Sequence, residues 1–551
     1  MANAQTEITV SAAGTLSSQI GDDTKYTITS LKINGDLNGT DFILIRDMAG
    51  VDLDNNTTAG TLQTLDLSNA NVVEGGEAYY SDYSKNVDYY TTANEISDRL
   101  FMNCKTLESI VLPETVTAIG DSAFLKCTKL AAITLPSNLT EIRSYAFSNT
   151  SLTEFAFPAN VALSKGVFYR CSTLASVTLP SVCTEIPDDA FYGTELSVLE
   201  LPEGLVSIGE DAFGSCPITS LVTPQTLKTI GEGAFYLCDN LASLTLNDGL
   251  ESIGDIAFGY CSALTNVVIP NSVTTLGGCF SCCDGLVSVQ LPDSIREISD
   301  GLFDRCSNLQ TVNIPVKVNR IGELAFQNNS SLAEITLPDS LVSIGEDAFA
   351  NCTALTSLVL PAGVKTIEAN CFSGCEGLVS IVLSDSLESI PMGTFSYCYA
   401  LKEIEIPEKV TSIADMAFME CSALEKLIIP ESVTSIGRMA FAYGVLKEIQ
   451  NYGTTPATCG MGAFMTEDGN VPTGCVLYVP QGTKDAYAAA NIWQYFTIEE
   501  RGTTSITLNS SASETKEISR YTLDGKYIAE PQKGINIVRY NDGSIKKFVV
   551  K

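Results

Sequence analysis

The segment Leu332 to Ala354, LAEITLPDSLVSIGEDAFANCTA, is one copy of the unit from which most of this chain is made. The next copy begins at Leu355, and the pattern L-x-x-I-x-L-P-x-x-L-x-x-I-G-x-x-A-F-x-x-C recurs from Phe101 to Phe464. Seventeen Phe residues mark the copies; of the 16 intervals between them, 12 are 23 residues, three are 22 and one is 21. A period this constant indicates a stack of similar short coils.

The spacing of apolar residues predicts how each coil folds. Pro338 ends a short strand because it cannot donate to a ladder, Gly345 permits a corner, and Ala348 leaves room for the neighbouring ring. We therefore predict an α/β-type leucine-rich-repeat solenoid of short parallel strands joined by turns or short helices, capped at both ends. Six large side chains per copy are expected to point inward: Leu332, Ile335, Leu337, Leu341, Ile344 and Phe349.

Four parts are expected along the chain. Residues 1–95 predict an N-terminal cap of irregular leucine-rich coils, 96–464 the solenoid of about 23-residue repeats, 465–501 a C-terminal cap and 502–551 a small β module. In the first part, residues 26–33, 42–45 and 62–67 predict strands. In the third, Thr483 is the predicted N-cap of a helix that ends near Trp493. Residues 503–551 carry 8 basic and 5 acidic side chains, or +3, which leaves −36 for the rest.

The charge and composition exclude several classes of partner. The net charge is −33, from 32 basic and 65 acidic residues, and there is no His. Such an acidic body repels nucleic acid and anionic membrane surfaces. No apolar run approaches the ~20 residues of a membrane span, so membrane insertion is not expected. Met1-Ala-Asn-Ala-Gln reads like the end of a removed leader behind an initiator Met, which suggests the expression form of an exported protein.

The 18 Cys residues follow the repeat. Cys183 stands in a Leu position, Cys279 and Cys371 stand in the Ala position, and we expect free thiols in the core; if a disulfide forms, Cys459 and Cys475 are the most plausible pair. A zinc site is not expected, because single Cys at this spacing do not bring four ligands together. Twelve Cys lie three residues after the repeat Phe, at 104, 127, 171, 216, 238, 261, 283, 306, 352, 375, 398 and 421, and Thr150, Thr194, Asn329 or Gly444 replaces Cys elsewhere.

The repeat resembles a known group of bacterial proteins. LPDSLVSIGEDAFANCTALTSLVLP, residues 337–361, is similar to the BspA-type leucine-rich repeats of surface proteins known mainly from Bacteroidetes and treponemes. The ending Tyr521-Thr-Leu-Asp-Gly-Lys with Lys533-Gly-Ile-Asn-Ile-Val resembles the C-terminal sorting domains of Bacteroidetes secretion, which implies export. The resemblance implies adhesion to host matrix proteins or other bacteria at the outer surface of the cell.

The predicted binding surface is the outward row of the strand sheet on the concave side of the solenoid. This row is small, β-branched and nearly uncharged, with no aromatic residue, which favours a protein or extended peptide over a sugar; β-branched residues also suit strands without any binding role. The predicted protein-binding residues are Val222, Thr245, Val268, Gln290, Asn313, Thr336, Val359 and Val382.

An alternative site is a Tyr cluster before the first repeat, in which Tyr rings would stack on a glycan. The cluster contains Tyr79, Tyr80, Tyr83, Tyr89 and Tyr90.

Catalysis is not supported, because without His there is no imidazole base, and acid pairs such as Asp188-Asp189 recur only because the turn recurs. Asp52-Leu-Asp-Asn-Asn suggests calcium only weakly and is better explained as a solvated turn.

The sequence thus favours a non-enzymatic, secreted or cell-surface adhesin or interaction scaffold that binds protein partners through its solenoid. The alternative is a glycan-binding surface protein that uses the Tyr cluster. No catalytic residue, cofactor, metal or nucleic acid enters either hypothesis.

Overall fold

The computed structural model describes residues 5–501 and three later strands at 517–522, 534–540 and 545–550. From residue 5 to 501 the chain forms a solenoid in which successive coils pair through parallel strands, with few helices. The predicted leucine-rich-repeat solenoid is confirmed. Each regular coil contributes one strand to a front ladder and one to a back ladder, and the hydrophobic core fills the space between them.

The front ladder contains the strands that precede the repeat Pro. Equivalent positions pair, so that Leu221 lies beside Leu244 and Val222 beside Thr245. Identical positions therefore stack along the solenoid axis. Its strands are Thr6–Val10, Ser30–Leu37, Thr64–Val72, Ser109–Val111, Ala132–Thr134, Glu154–Ala156, Ser176–Thr178, Ser220–Val222, Ser243–Thr245, Asn266–Val268, Ser288–Gln290, Thr311–Asn313, Ser357–Val359, Ser380–Val382, Lys426–Ile429, Glu448–Asn451, Val476–Val479 and Thr497–Glu500.

The back ladder contains two-residue strands on the return side, where the second residue points into the core. Ile344, for example, is fully buried and pairs with Ile321 and Ile367 of the adjacent coils. Its strands are Glu95–Ile96, Ala118–Ile119, Glu141–Ile142, Glu185–Ile186, Ser207–Ile208, Thr229–Ile230, Ser252–Ile253, Thr275–Leu276, Glu297–Ile298, Arg320–Ile321, Ser343–Ile344, Thr366–Ile367, Ser389–Ile390, Ser412–Ile413, Ser435–Ile436 and Thr458–Cys459.

The repeat Phe residues form one continuous stack through the core. Phe326 and Phe349 have ring centroids 5.1 Å apart and Phe418 and Phe441 5.0 Å, with interplanar angles of 7° and 2°. The widest step, between Phe280 and Phe303, is 6.3 Å. Each ring is therefore covered by a neighbour on both sides, which explains why a single coil has no stable core of its own.

The turn around each repeat Phe contains two residues with left-handed backbone. In the coil of Phe349 they are Asp347, with φ of 53°, and Asn351, with φ of 60°. The position two residues after Phe has positive φ in every copy from Asn103 to Tyr443, although most of these residues are not glycine. Each such residue carries a local conformational strain that the packing of the stack must offset. We refer to the surface formed by these turns as the turn edge.

The prediction that Gly345 permits a corner through its backbone freedom is wrong. Gly345 does not have positive φ. A Cβ at this position would lie 2.6 Å from the backbone nitrogen of Glu323 and 2.7 Å from the carbonyl carbon of Gly322. At Gly345 the backbones of adjacent coils approach so closely that a side chain would fit only if they shifted apart.

The side chain at the Cys position forms a hydrogen bond to the backbone of the preceding coil. The Cys398 thiol donates to the carbonyl oxygen of Phe372 at 3.2 Å, and Asn329 donates to Phe303 from its amide nitrogen at 3.0 Å. The position thus holds a small buried side chain that donates to a backbone carbonyl of the preceding coil. The same thiol contact is made by Cys127, Cys171, Cys216, Cys238, Cys261, Cys283, Cys306, Cys352, Cys375 and Cys421.

All 18 Cys are free, and all but Cys459 are buried. The expectation of free core thiols is confirmed, and the alternative disulfide between Cys459 and Cys475 does not form. Burial raises the pKa of the Cys104 thiol to about 11 and that of Cys375 to about 12, because the apolar core disfavours the thiolate. These thiols therefore stay protonated and unreactive at neutral pH.

A helix, Gly39–Met48, covers the open end of the first coil. The predicted strand at 42–45 is wrong, since these residues lie inside this helix. Asn38 begins the helix: its side chain accepts from the backbone of Thr40 at 3.1 Å, and its own backbone donates to Asp41 at 3.0 Å. This capping box decides between helix and strand for a short apolar run. A short 3-10 helix, Leu16–Ser18, precedes it.

The N-terminal helix contacts the repeat stack directly. The ring of Phe42 meets that of Phe101 edge-on, at 5.9 Å between centroids. Arg46 is fully buried, and its guanidinium donates to the carbonyl oxygen of Leu100 at 2.9 Å. The helix thus covers the first ring and satisfies backbone acceptors that have no preceding coil to pair with.

Aromatic residues close the other end. The helix Lys484–Ala489 is followed by the 3-10 helix Trp493–Tyr495. The ring of Trp493 lies 5.3 Å from that of Phe464, and its indole nitrogen donates to the carbonyl oxygen of Ala457 at 2.8 Å. The last ring of the stack is therefore shielded from water by the only Trp of the chain.

The predicted capping role of Thr483 is wrong, although the helix begins where it was predicted. The Thr483 hydroxyl donates backwards to the carbonyl oxygen of Pro480 at 2.7 Å. The helix amide of Lys484 donates instead to the Glu500 carboxylate, at 3.1 Å. An acceptor from the final strand of the front ladder thus replaces the local one.

The three strands beyond residue 501 are Glu517–Thr522, Gly534–Tyr540 and Ile545–Val550, and they form an antiparallel sheet. They lie in the segment 502–551, for which the sequence predicts a separate β module. Of the predicted motif Tyr521-Thr-Leu-Asp-Gly-Lys, Tyr521 and Thr522 end the first of these strands, and the other four residues lie outside the described residues. The resemblance to a sorting domain and the four domain boundaries stay predictions.

Candidate protein-binding face

The eight predicted binding residues form one exposed row on the front ladder. All eight are exposed, and the fractional exposure is 60% at Val222 and 59% at Val268. The ladder register places Val268 beside Gln290, Gln290 beside Asn313, and Val359 beside Val382. The eight occupy every coil from Val222 to Val382, and only Thr336 lies outside a regular strand.

The row is uncharged in a strongly acidic protein. Between Leu201 and Leu383, the residues of the front ladder that point outward include only one acid, Glu334, and no base. The exposed atoms are methyl groups, hydroxyls and amides. The row therefore presents a run of uncharged side chains, several of them exposed valines, on an otherwise acidic protein.

The character of the front ladder changes after Leu383. Here charged side chains pair across adjacent strands: Lys426 with Glu448 at 3.1 Å and Lys447 with Glu425 at 2.6 Å. These exposed pairs satisfy one another and contribute little stability. The neutral row therefore has a definite boundary along the solenoid, which the sequence pattern shows only once the coils are aligned.

Asn313 differs from the other members of the row. Its side-chain oxygen accepts from the backbone nitrogen of Leu291 at 2.8 Å, and its amide nitrogen donates to the carbonyl oxygen of the same residue at 3.3 Å. Asn313 thus continues the ladder by a side chain. It is less available to a partner than Gln290 or Thr245.

The Tyr cluster of the N-terminal part folds into an antiparallel hairpin of Gly75–Asp82 and Val87–Thr91. Tyr79 is fully buried, and its hydroxyl donates to the carbonyl oxygen of Asp98 at 2.5 Å. Tyr80 is buried against Tyr89, 5.5 Å between centroids. Only Tyr83, 74% exposed, and Tyr90 present large surfaces to solvent. The cluster is therefore mainly a packing element of the cap rather than an open platform.

The acidic candidates are engaged with neighbouring groups. Asp188 contacts the Lys165 ammonium at 3.3 Å, and Asp189 accepts from the Tyr145 hydroxyl at 3.0 Å. At the suggested calcium segment, the Asp52 carboxylate accepts from the backbone of Asn56 at 2.7 Å and forms a closed turn. In the described part of the chain no group of three or more His, Cys, Asp or Glu is placed to hold a metal ion.

Sequence reasoning missed a second aromatic group, on the turn edge. Tyr145, Tyr169, Tyr192, Tyr236 and Tyr260 all lie within two residues of a repeat Phe, on coils between Phe147 and Phe258. Their position next to the repeat Phe, where other coils carry Ser, Gly or Ala, was the available signal.

The repeat region matches the model of the BspA type leucine-rich repeat region over residues 94–217, 206–333 and 319–447. Together these matches span residues 94–447, more than half of the 551 residues. This chain belongs to the BspA-type leucine-rich repeat family. The resemblance seen in the sequence of residues 337–361 is therefore confirmed. No curated protein matches the chain.

Several solved structures of bacterial leucine-rich repeat proteins are similar to this BspA-type chain. A leucine-rich repeat protein from Bacteroides ovatus is 26% identical, with 66% of this chain and 87% of that one covered and a TM-score of 0.47. One from Eubacterium ventriosum is 21% identical, covers 57% and 82%, and has a TM-score of 0.38. A leucine rich cell surface protein from Faecalibacterium prausnitzii is 22% identical, covers 63% and 93%, and has a TM-score of 0.35.

The BspA-type repeat is a scaffold for protein interaction. Its described helices are short, the longest being the 10 residues of Gly39–Met48, and none of them is suited to crossing a bilayer.

Proposed function

We propose that this protein is a non-enzymatic adhesin or interaction scaffold of the bacterial cell surface, and that it binds a protein partner through the neutral row of the front ladder. The observation that carries the proposal is the uninterrupted exposed row from Val222 to Val382. A flat row of methyl, hydroxyl and amide groups fits an extended polypeptide or a flat protein face, because such a partner leaves no charge unpaired.

Export is the second part of the proposal. BspA-type membership supports it through the association of such repeats with surface proteins. The free thiols are compatible with an oxidising exterior, because burial keeps thiols such as Cys104 protonated. Surface labelling of intact cells with an antibody to the solenoid tests the location, and signal only after lysis would contradict it.

The binding test uses immobilised host matrix proteins, namely fibronectin, fibrinogen, laminin and collagen, with the full chain in solution. In the variant Val268→Lys with Val359→Lys, binding is expected to weaken by at least about tenfold, because two charges would be buried without partners at the interface. The matched control is Val316→Lys, since Val316 is 77% exposed but lies beyond the repeat Pro, outside the row.

Two results would overturn the proposal. One is equal loss in the Val316 control, which would show that added charge alone disturbs binding. The other is unaltered binding by the double variant, which would place the interaction on another surface. Thermal unfolding of each variant confirms that the fold is intact.

A further inference from the structure

Five Tyr residues gather on one stretch of the turn edge, and we call them the Tyr edge: Tyr145, Tyr169, Tyr192, Tyr236 and Tyr260. Tyr169 and Tyr192 stack at 5.3 Å between centroids, and Tyr145 meets Tyr169 edge-on at 6.1 Å. Tyr236 and Tyr260 form a second pair at 5.5 Å. All five rings are at least partly exposed.

The repeat does not require these rings. On the later coils the position after the repeat Phe is Ser281, Asp304, Gln327, Ala350 or Ser373, and the Phe rings of those coils still form a continuous stack. Glycine on the next coil makes room for a ring: a Cβ on Gly214 would lie 2.7 Å from the ring of Tyr192. A local departure from the repeat that brings no packing benefit marks a functional surface.

Carboxylates lie beside the rings. The hydroxyl of Tyr145 donates to Asp189 at 3.0 Å, which fixes the ring against the acidic column of the next coils. Asp211 follows in that column, and burial together with the charges of Asp189, Glu210 and Glu232 raises its pKa. Negative charge around Asp211 is therefore crowded.

The first coils of the Tyr edge supply their own cations. The Arg170 guanidinium lies over the ring of Tyr169, 5.2 Å from its centroid, and the Lys165 ammonium contacts Asp188 at 3.3 Å. These contacts show that the rings accept a cation and that the carboxylates pair with one. On the next coils the position equivalent to Arg170 is Gly193, Ser215, Leu237, Tyr260 or Cys282, so this position supplies no further cation until Arg305.

We propose that the Tyr edge binds a basic polypeptide segment, whose Arg side chains stack on Tyr192 and Tyr236 and pair with the carboxylates between them. Arg fits better than Lys because its planar guanidinium stacks on a ring and pairs with a carboxylate at the same time. Tyr and Arg are also the residues that dominate protein interfaces. This surface is distinct from the neutral row of the front ladder, since it lies on the turns that follow the back ladder.

The test is fluorescence anisotropy with a labelled octa-arginine peptide and the full chain at physiological ionic strength. Tyr192→Ala with Tyr236→Ala is expected to weaken binding by at least about tenfold, equivalent to about 1.4 kcal/mol. The net charge is unchanged by these substitutions. The matched control is Tyr83→Ala, which removes an exposed ring from the hairpin, and it should bind like the original chain.

A second pair of variants separates specific from general electrostatic attraction. Asp211→Asn should weaken binding, whereas Asp339→Asn, which removes an acid from a turn outside the Tyr edge, should not. Equal effects of the two, or peptide binding that survives loss of both rings, would overturn the proposal. So would retardation of the chain in gels containing neutral polysaccharide that depends on Tyr192 without any peptide binding, since the ligand would then be a glycan. Circular dichroism confirms folding of each variant.

Discussion

The thiol of Cys127 donates to the carbonyl oxygen of Phe101 at 2.9 Å, and so joins one coil to the coil before it. The contact repeats along the stack at a carbonyl that lies in the core, away from water. A buried carbonyl without a partner is destabilising, so the conserved chemistry of this position within the chain is a small donor rather than a thiol as such. Asn329 meets the same requirement with an amide.

Replacing the donor should destabilise the solenoid. We expect Cys398→Val to lower the free energy of unfolding by about 1 to 2 kcal/mol, because the carbonyl of Phe372 loses its partner while the volume changes little. Urea unfolding followed by circular dichroism measures the change. Cys371→Ala is the control, since Cys371 stands where other coils carry Ala348 or Ala417, and it should change stability less. Equal losses would show that packing, not the hydrogen bond, sets the cost.

The buried thiols predict a loss of stability at alkaline pH. Burial raises the pKa of Cys171 from its ordinary 9.0 to about 11 and that of Cys375 to about 12. The folded chain therefore holds these protons in a range where the unfolded chain releases them, so rising pH favours unfolding. The stability that the protonated Cys171 thiol contributes is fully present below pH 9.0 and is lost progressively as the pH rises from 9.0 to about 11.

The midpoints of urea unfolding at about pH 7, 9 and 10.5 test this dependence, because they run from below the thiol pKa of the unfolded chain toward that of the folded chain. In a variant with Cys352, Cys375 and Cys398 all replaced by Asn, the decline between the last two points should be smaller. An identical decline in both proteins would assign the effect to Tyr or Lys instead. At pH 7 the buried thiols, that is all except Cys459, should react with a thiol reagent only after denaturation.

The close approach of backbones at Gly345 predicts intolerance of any side chain. We expect Gly345→Ala to cost about 1 to 3 kcal/mol, because the new Cβ would lie 2.6 Å from the nitrogen of Glu323 and the coils would have to separate. Gly204→Ala is the matched control: no atom lies within 4 Å of its Cβ, and its φ is not positive. Thermal unfolding should show a small gain there, from lower entropy of the unfolded chain, and a clear loss at Gly345.

Interrupting the ring stack should divide the solenoid. Phe349 contacts Phe326 at 5.1 Å and Phe372 at 5.7 Å, so Phe349→Ala removes both contacts and is expected to cost about 3 to 5 kcal/mol. Because stability passes only between neighbouring coils, hydrogen exchange should accelerate most near residue 349 and less toward the caps. Uniform acceleration along the chain would contradict this nearest-neighbour behaviour.

The sequence predicted whatever the period of the repeat determines. The inward side chains and the core thiols follow from repetition, because one physical solution must serve every coil. The continuous Phe stack and the hydrogen bond at the Cys position became evident only in the structure. The left-handed residues did not follow, since Leu237 and Leu324 belong to a residue type that rarely adopts positive φ and take it here because the coil imposes it. The error at 42–45 arose because a short apolar run fits helix and strand equally until the Asn38 capping box is recognised.

The candidate site, too, was only partly predictable from the sequence. The exposure of Val222 and Val268 was predictable from strand alternation, since their neighbours point into the core. The burial of Tyr79 was not, because it depends on how the hairpin lies against Asp98, a tertiary contact with no signal in local sequence. The Tyr edge needed the register of the coils, which places residues some 23 positions apart side by side.

The two caps contact the array through its terminal rings, Phe42 against Phe101 and Trp493 against Phe464, and through hydrogen bonds to its backbone. The contacts between interior coils are alike, so whole repeats can be gained or lost by recombination without changes in either cap. The length of the solenoid, and so the distance it can span toward a target, can therefore change during evolution by one repeat at a time.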